Sequence, residues 1–121
     1  MQHILVVDDD PAIRDVVADI LEISDYAVQT AVNGAEALEK IRQDQPAAVL
    51  LDLMMPVMNG WEFLRACRSE QPCARVPIVV MSAARDASDV AEELGAQAFL
   101  AKPFELETVL SVVEQVVPSA S

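Results

Sequence analysis

The chain has 121 residues, enough for one domain with its own core, and 53% of them are hydrophobic. No apolar run approaches the ~20 residues that cross a bilayer, and the N-terminus lacks the basic and apolar regions of an export signal, so a cytoplasmic protein away from the membrane is expected. Twenty acidic against eight basic residues give a net charge of −12, which argues against direct nucleic-acid contact, where Lys and Arg neutralise phosphates, and favours proteins or cations as partners.

Short apolar runs alternate with helical patterns along the chain. "HILVV" (3–7) reads as a first strand, followed by a helix over 11–23. There Ile13, Val16, Val17, Ile20 and Leu21 recur at three- and four-residue intervals and should face inward. "AVQTAV" (27–32) is a second strand, and a helix over 34–43 should bury Leu38 and Ile41. "AAVLL" (47–51) is a third, with a helix over 60–70 burying Phe63, Leu64 and Cys67. "PIVVM" (77–81) is a fourth, with a helix over 86–94 presenting Val90, Ala91 and Leu94. "AFLA" (98–101) is the fifth, and a last helix over 105–117 carries Leu106, Val109, Leu110, Val113 and Val117.

Three of these strands are almost continuously apolar, as strands covered on both faces are. Five strand–helix repeats with right-handed crossovers predict an α/β fold, a (βα)5 doubly wound parallel sheet in the flavodoxin-like order 2-1-3-4-5, forming a single domain over 1–121. Cys67 and Cys73 lie six apart without metal-ligand companions and are expected as reduced thiols.

In such sheets ligands bind beyond the carboxyl ends of the strands, where strand order reverses. The first strand runs into Asp8 and Asp9, the third into Asp52, the fourth into Ser82 and the fifth into Lys102. Three acids, a hydroxyl and an amine therefore share one edge. Hard oxygen donors without His or Cys favour Mg²⁺. Lys102 and Ser82 suit a phosphoryl group, and Asp52 is placed to carry it as an acyl phosphate. Asp10 precedes Pro11 and reads as the cap of the first helix instead of a third ligand. His3, at the far end of the first strand, has no place in this chemistry.

Four segments together resemble the response-regulator receiver domain of two-component signalling, over residues about 3–117: "VVDDD", "LLDLMMPVMNG", "VVMSAA" and "GAQAFLAKPF". The resemblance implies Asp52 as phospho-acceptor, with Mg²⁺ held by Asp9, Asp52 and the carbonyl of Met54, and by Asp8 through water. It implies a sensor histidine kinase or phosphotransfer protein as donor. Ser82 and Lys102 would bind the phosphoryl oxygens, and Ser82 and Phe99 would switch the surface of the fourth helix, fifth strand and fifth helix toward a downstream protein target. Such a domain is no enzyme beyond its own phosphorylation and dephosphorylation. Met54 and Ala84, flanking the acceptor, have no polar group to orient a water, so a long-lived phosphoryl group is expected.

The last helix, "ELETVLSVVEQVV", carries no Arg or Lys. Receivers joined to winged-helix DNA-binding domains usually have basic residues there, so that branch is not expected. A start at Met mildly favours a natural beginning, and a domain acting alone and a fragment of a longer regulator both remain open. A dehalogenase-type phosphohydrolase would use Asp8 and Asp10 instead of Asp52. A flavin-phosphate site would be repelled by "DDDP".

Overall fold

The computed structural model describes residues 3–52, 60–69, 73–82, 95–101 and 105–117. In chain order these form β1 (His3–Val7), α1 (Pro11–Ile23), β2 (Ala27–Ala31), α2 (Gly34–Gln43), β3 (Ala48–Asp52) and α3 (Gly60–Arg68). A 3₁₀ turn (Cys73–Arg75) follows, then β4 (Ile78–Ser82), β5 (Ala98–Ala101) and the C-terminal helix α4 (Leu106–Val116). The helix expected over 86–94 lies outside the described residues.

All strand pairs are parallel and the order is β2-β1-β3-β4-β5, as the strand–helix alternation predicts. The three nearly continuous apolar runs are the three central strands β1, β3 and β4, buried at every position. The edge strands β2 and β5 are only partly covered.

Side chains alternate across a strand, so each central strand feeds two cores. Leu5, Val7, Val49, Leu51, Ile78 and Val80 join Leu38 and Ile41 of α2 and Phe63 and Leu64 of α3. Ile4, Val6, Leu50, Val79 and Met81 join Val17, Ile20 and Leu21 of α1 and Val109 and Val113 of α4. Truncating one such leucine to alanine would cost ~2–5 kcal/mol.

Local chemistry sets the helix ends. Asp10 caps α1, its carboxylate accepting from the Ala12 amide at 2.9 Å, with Pro11 in the first helical position. Asn33 caps α2 by accepting from the Glu36 amide at 2.9 Å. After α1, Asp25 takes a left-handed φ of 70°, which lets Tyr26 return its amide to the Leu21 carbonyl and start β2.

Three expectations need correction. Val16 is 56% exposed: the buried stripe of α1 runs through Val17, Ile20 and Leu21, and Val16 falls off its flank. β3 and β4 each begin and end one residue later than the apolar runs suggest, which places Asp52 and Ser82 inside the strands. Cys67 and Cys73 are not separate thiols but a disulfide, with Cα atoms 4.9 Å apart. The end of α3 and the 3₁₀ turn after it fold back on each other, bringing both cysteines into the α2–α3 core.

Beside that disulfide Arg68 fastens the lower edge of the sheet. It donates to the carbonyls of Val76 and Gly95 and to Gln97 Oε1, which also accepts from the Ile78 amide at 2.9 Å. Burial pulls its guanidinium below the ordinary value. Among the described residues no helix is long and apolar enough to cross a membrane.

Candidate functional site

The strand ends converge as the topology requires. Asp8 is the residue after β1, and Asp52 and Ser82 are the last residues of the neighbouring β3 and β4. Asp8 is 0%, Asp52 5% and Ser82 2% exposed, whereas Asp9 lies open to solvent. One carboxylate oxygen from each of Asp8, Asp9 and Asp52 lies within 4.8 Å of the others. Two ionised carboxylates at that separation repel by ~3 kcal/mol at an effective dielectric of ~20. A divalent cation among these oxygens would offset that repulsion.

The donor set fits a hard divalent ion. All three groups offer carboxylate oxygens, with neither His nor Cys in the cluster, which suits Mg²⁺ and disfavours zinc. Two of the ligands, Asp8 and Asp52, are buried and Asp9 is exposed, so an ion there would meet protein on one side and water or a phosphoryl group on the other.

Hydrogen bonds separate the roles within "DDDP". Asp8 Oδ1 accepts from the Asp10 amide at 2.9 Å, and the Asp8 amide donates to the Ala31 carbonyl of β2 at 3.1 Å. The Asp10 carboxylate is turned to its own helix as a cap. This engagement disfavours the reading in which Asp8 and Asp10 act as a catalytic pair.

Phe99 lies on β5 opposite Val80 and packs, half-buried, against the α2–α3 core, against which Trp61 and Ala96 also pack. Ser82 pairs in register with Ala101, the residue before Lys102. Lys102, Met54 and Ala84 lie outside the described residues. His3 is buried at the start of β1, its Nδ1 3.9 Å from Asp44 Oδ2, at the other end of the sheet from the acids. Arg14 was not singled out from the sequence. Its Nη1 donates to the Asp8 carbonyl at 2.9 Å, and the available signal was a lone cation in "DDDPAIRD".

Known proteins share this architecture. A sequence model of the response regulator receiver domain matches residues 4–114. The response regulator MprA of Mycolicibacterium vanbaalenii is 43% identical over 111 residues, covering 90% of this chain and 47% of that protein. The DNA-binding dual master transcriptional regulator RpaA of Synechocystis is 36% identical over 115 residues, covering 93% of this chain and 48% of its own length. The chain thus spans about half the length of these relatives.

Among solved structures, the chemotaxis response regulator CheY4 of Vibrio cholerae superposes with a TM-score of 0.90 at 34% identity, covering 97% of this chain and 99% of that one. The receiver domain of the sensor histidine kinase PA1611 of Pseudomonas aeruginosa, solved with a magnesium ion in its active-site cleft, gives 0.89 at 27% identity, covering 98% of each chain.

One expectation is overturned by these matches. Acidic charge argues against direct nucleic-acid contact, and a last helix without basic residues against a DNA-binding branch, yet a relative over 93% of this chain is a DNA-binding regulator. The charge of −12 describes residues equivalent to about half of that protein. It carries no information on surfaces in the other half.

Proposed function

Because this chain belongs to the response regulator receiver domain family of two-component systems, we propose that it accepts a phosphoryl group on Asp52 from a phosphohistidine of a sensor histidine kinase or phosphotransfer protein. The observation that carries this reading is the convergence of Asp8, Asp9 and Asp52 within 4.8 Å on the edge that also ends in Ser82.

An Asp52 carboxylate oxygen attacks phosphorus and the P–N bond to the donor histidine breaks. The imidazole leaves with the electron pair and is protonated, and an acyl phosphate forms on Asp52. Asp8, Asp9 and Asp52, with the carbonyl of Met54, would hold Mg²⁺, which supplies charge neutralisation for the phosphoryl oxygens. The Ser82 hydroxyl donates to one phosphoryl oxygen and the Lys102 ammonium neutralises another.

Beyond this self-modification the domain turns over no separate substrate. Movement of Ser82 toward the phosphoryl group makes room for Phe99 to turn inward, shifting the populations of the surface presented to a downstream partner. A cytoplasmic location accords with this role.

The test is labelling with acetyl phosphate and Mg²⁺, read by intact mass. Wild type should gain one phosphoryl group and Asp52→Asn none. Equal labelling of the two proteins would overturn the assignment of Asp52.

A further inference from the structure

The three carboxylates repel one another, so something in the chain must keep them gathered while no metal is present. Asp8 is held from several directions. Its amide donates to Ala31 of β2, its Oδ1 accepts from the Asp10 amide, and its carbonyl accepts from Arg14 Nη1 at 2.9 Å. The last tie comes from a side chain for a local reason. Pro11, at the start of α1, has no N–H to offer back toward the turn. Arg14 enters one turn later, where its own amide bonds the Asp10 carbonyl at 3.0 Å, and its half-buried guanidinium reaches back across that turn.

We propose that Arg14 is a positioning residue for the metal edge: by tying the Asp8 carbonyl to the first turn of α1, it keeps Asp8 and Asp9 converging on Asp52. The role rests on the metal-binding reading given above. It has a sign that separates it from a simple charge effect. A guanidinium beside the site repels a divalent cation, so if charge were its whole contribution, removing it would tighten Mg²⁺ binding. Positioning acts the other way. Without the tie a buried carbonyl loses a charged donor, the turn relaxes under carboxylate repulsion, and the metal must gather the ligands again. Loss of such a hydrogen bond is worth a ~10-fold change in affinity.

The experiment titrates Mg²⁺ calorimetrically into the full chain as wild type, Arg14→Gln and Arg14→Lys. In parallel, amide exchange at Asp10 is followed without metal. Arg14→Gln should raise the Mg²⁺ Kd ~10-fold and speed exchange of the Asp10 amide, while acetyl-phosphate labelling at saturating Mg²⁺ stays near wild type. Arg14→Lys keeps the charge with a shorter, single-headed donor and should fall between the two.

Unchanged or tighter binding by Arg14→Gln overturns the proposal, as does unchanged exchange at Asp10. So does a loss of labelling that saturating Mg²⁺ fails to restore. Should Arg14→Gln not fold, Arg14→Lys decides alone: at constant charge, weaker binding supports the tie and equal binding refutes it. A wild type that binds no Mg²⁺ defeats the site reading itself. Normal wild-type binding with indifferent variants defeats only the role of Arg14.

Discussion

The two edges of the sheet are built on opposite principles. At the carboxyl edge, β1 and β3 deliver Asp8, Asp9 and Asp52 within 4.8 Å of one another, an arrangement of like charges that a bound cation would stabilise. At the other edge the chain spends its polar groups on itself. Arg68 gathers the carbonyls of Val76 and Gly95 with the Gln97 side chain, and the Cys67–Cys73 disulfide closes the end of α3 onto the turn before β4. The same parallel strands connect both, so a stable lower edge can support an upper edge held in electrostatic conflict. Functional sites commonly trade stability in this way.

The sharpest way to expose the difference is to load the upper edge. Mg²⁺ at one hundred times its Kd should raise unfolding free energy by ~2.7 kcal/mol, measured by denaturant titration with and without the ion. The gain should be largely lost in Asp52→Asn, which without metal should be at least as stable as wild type because one of three like charges is gone. A metal-free Asp52→Asn clearly less stable than wild type would remove the conflict from the picture.

The lower edge should respond in the other sense. Opening the short loop between Cys67 and Cys73 with a reductant should cost ~2 kcal/mol, less than the ~3 kcal/mol of a 15-residue loop, and leave Asp52 labelling untouched. Arg68→Ala should cost a further but smaller ~1.5–2 kcal/mol, again without change in labelling. Gly95 guards the same clamp. Its φ is +87°, and a Cβ there would stand 3.1 Å from Arg68 Nε.

How far each edge could be read in advance follows from the range of its interactions. β1, β3 and β4 announce themselves as unbroken apolar runs because both faces are covered, and topology then carries the acids that follow them to a common edge. Asp8, Asp9, Asp52 and Ser82 were therefore legible without any side-chain geometry. The Arg68 clamp was not, since its partners Gly95 and Gln97 lie 27 and 29 residues away and no periodicity encodes that meeting. The cysteine pairing is hidden from the sequence for a related reason. Six residues apart, the two meet only if the chain turns back sharply after α3, and the 3₁₀ turn that brings this about carries no strong signal. Val16 shows the limit of helical spacing, which gives the direction of the buried stripe but not its width.

The smallest expected effect tests whether "DDDP" divides as the hydrogen bonds suggest. Asp10→Ala removes the side-chain acceptor for the Ala12 amide and should destabilise by ~1 kcal/mol, as loss of a helix cap does. Its charge lies beside the metal edge, yet its carboxylate is turned to α1, so the Mg²⁺ Kd should move by less than a mutation at Asp9. Chemical denaturation and a Mg²⁺ titration on the two variants separate the roles. Asp10→Ala should lose stability and keep the metal, whereas Asp9→Asn should keep stability and lose the metal. If Asp10→Ala instead abolished Mg²⁺ binding with no change in stability, the boundary between ligand and cap would fall one residue later, and all three acids would belong to the upper edge.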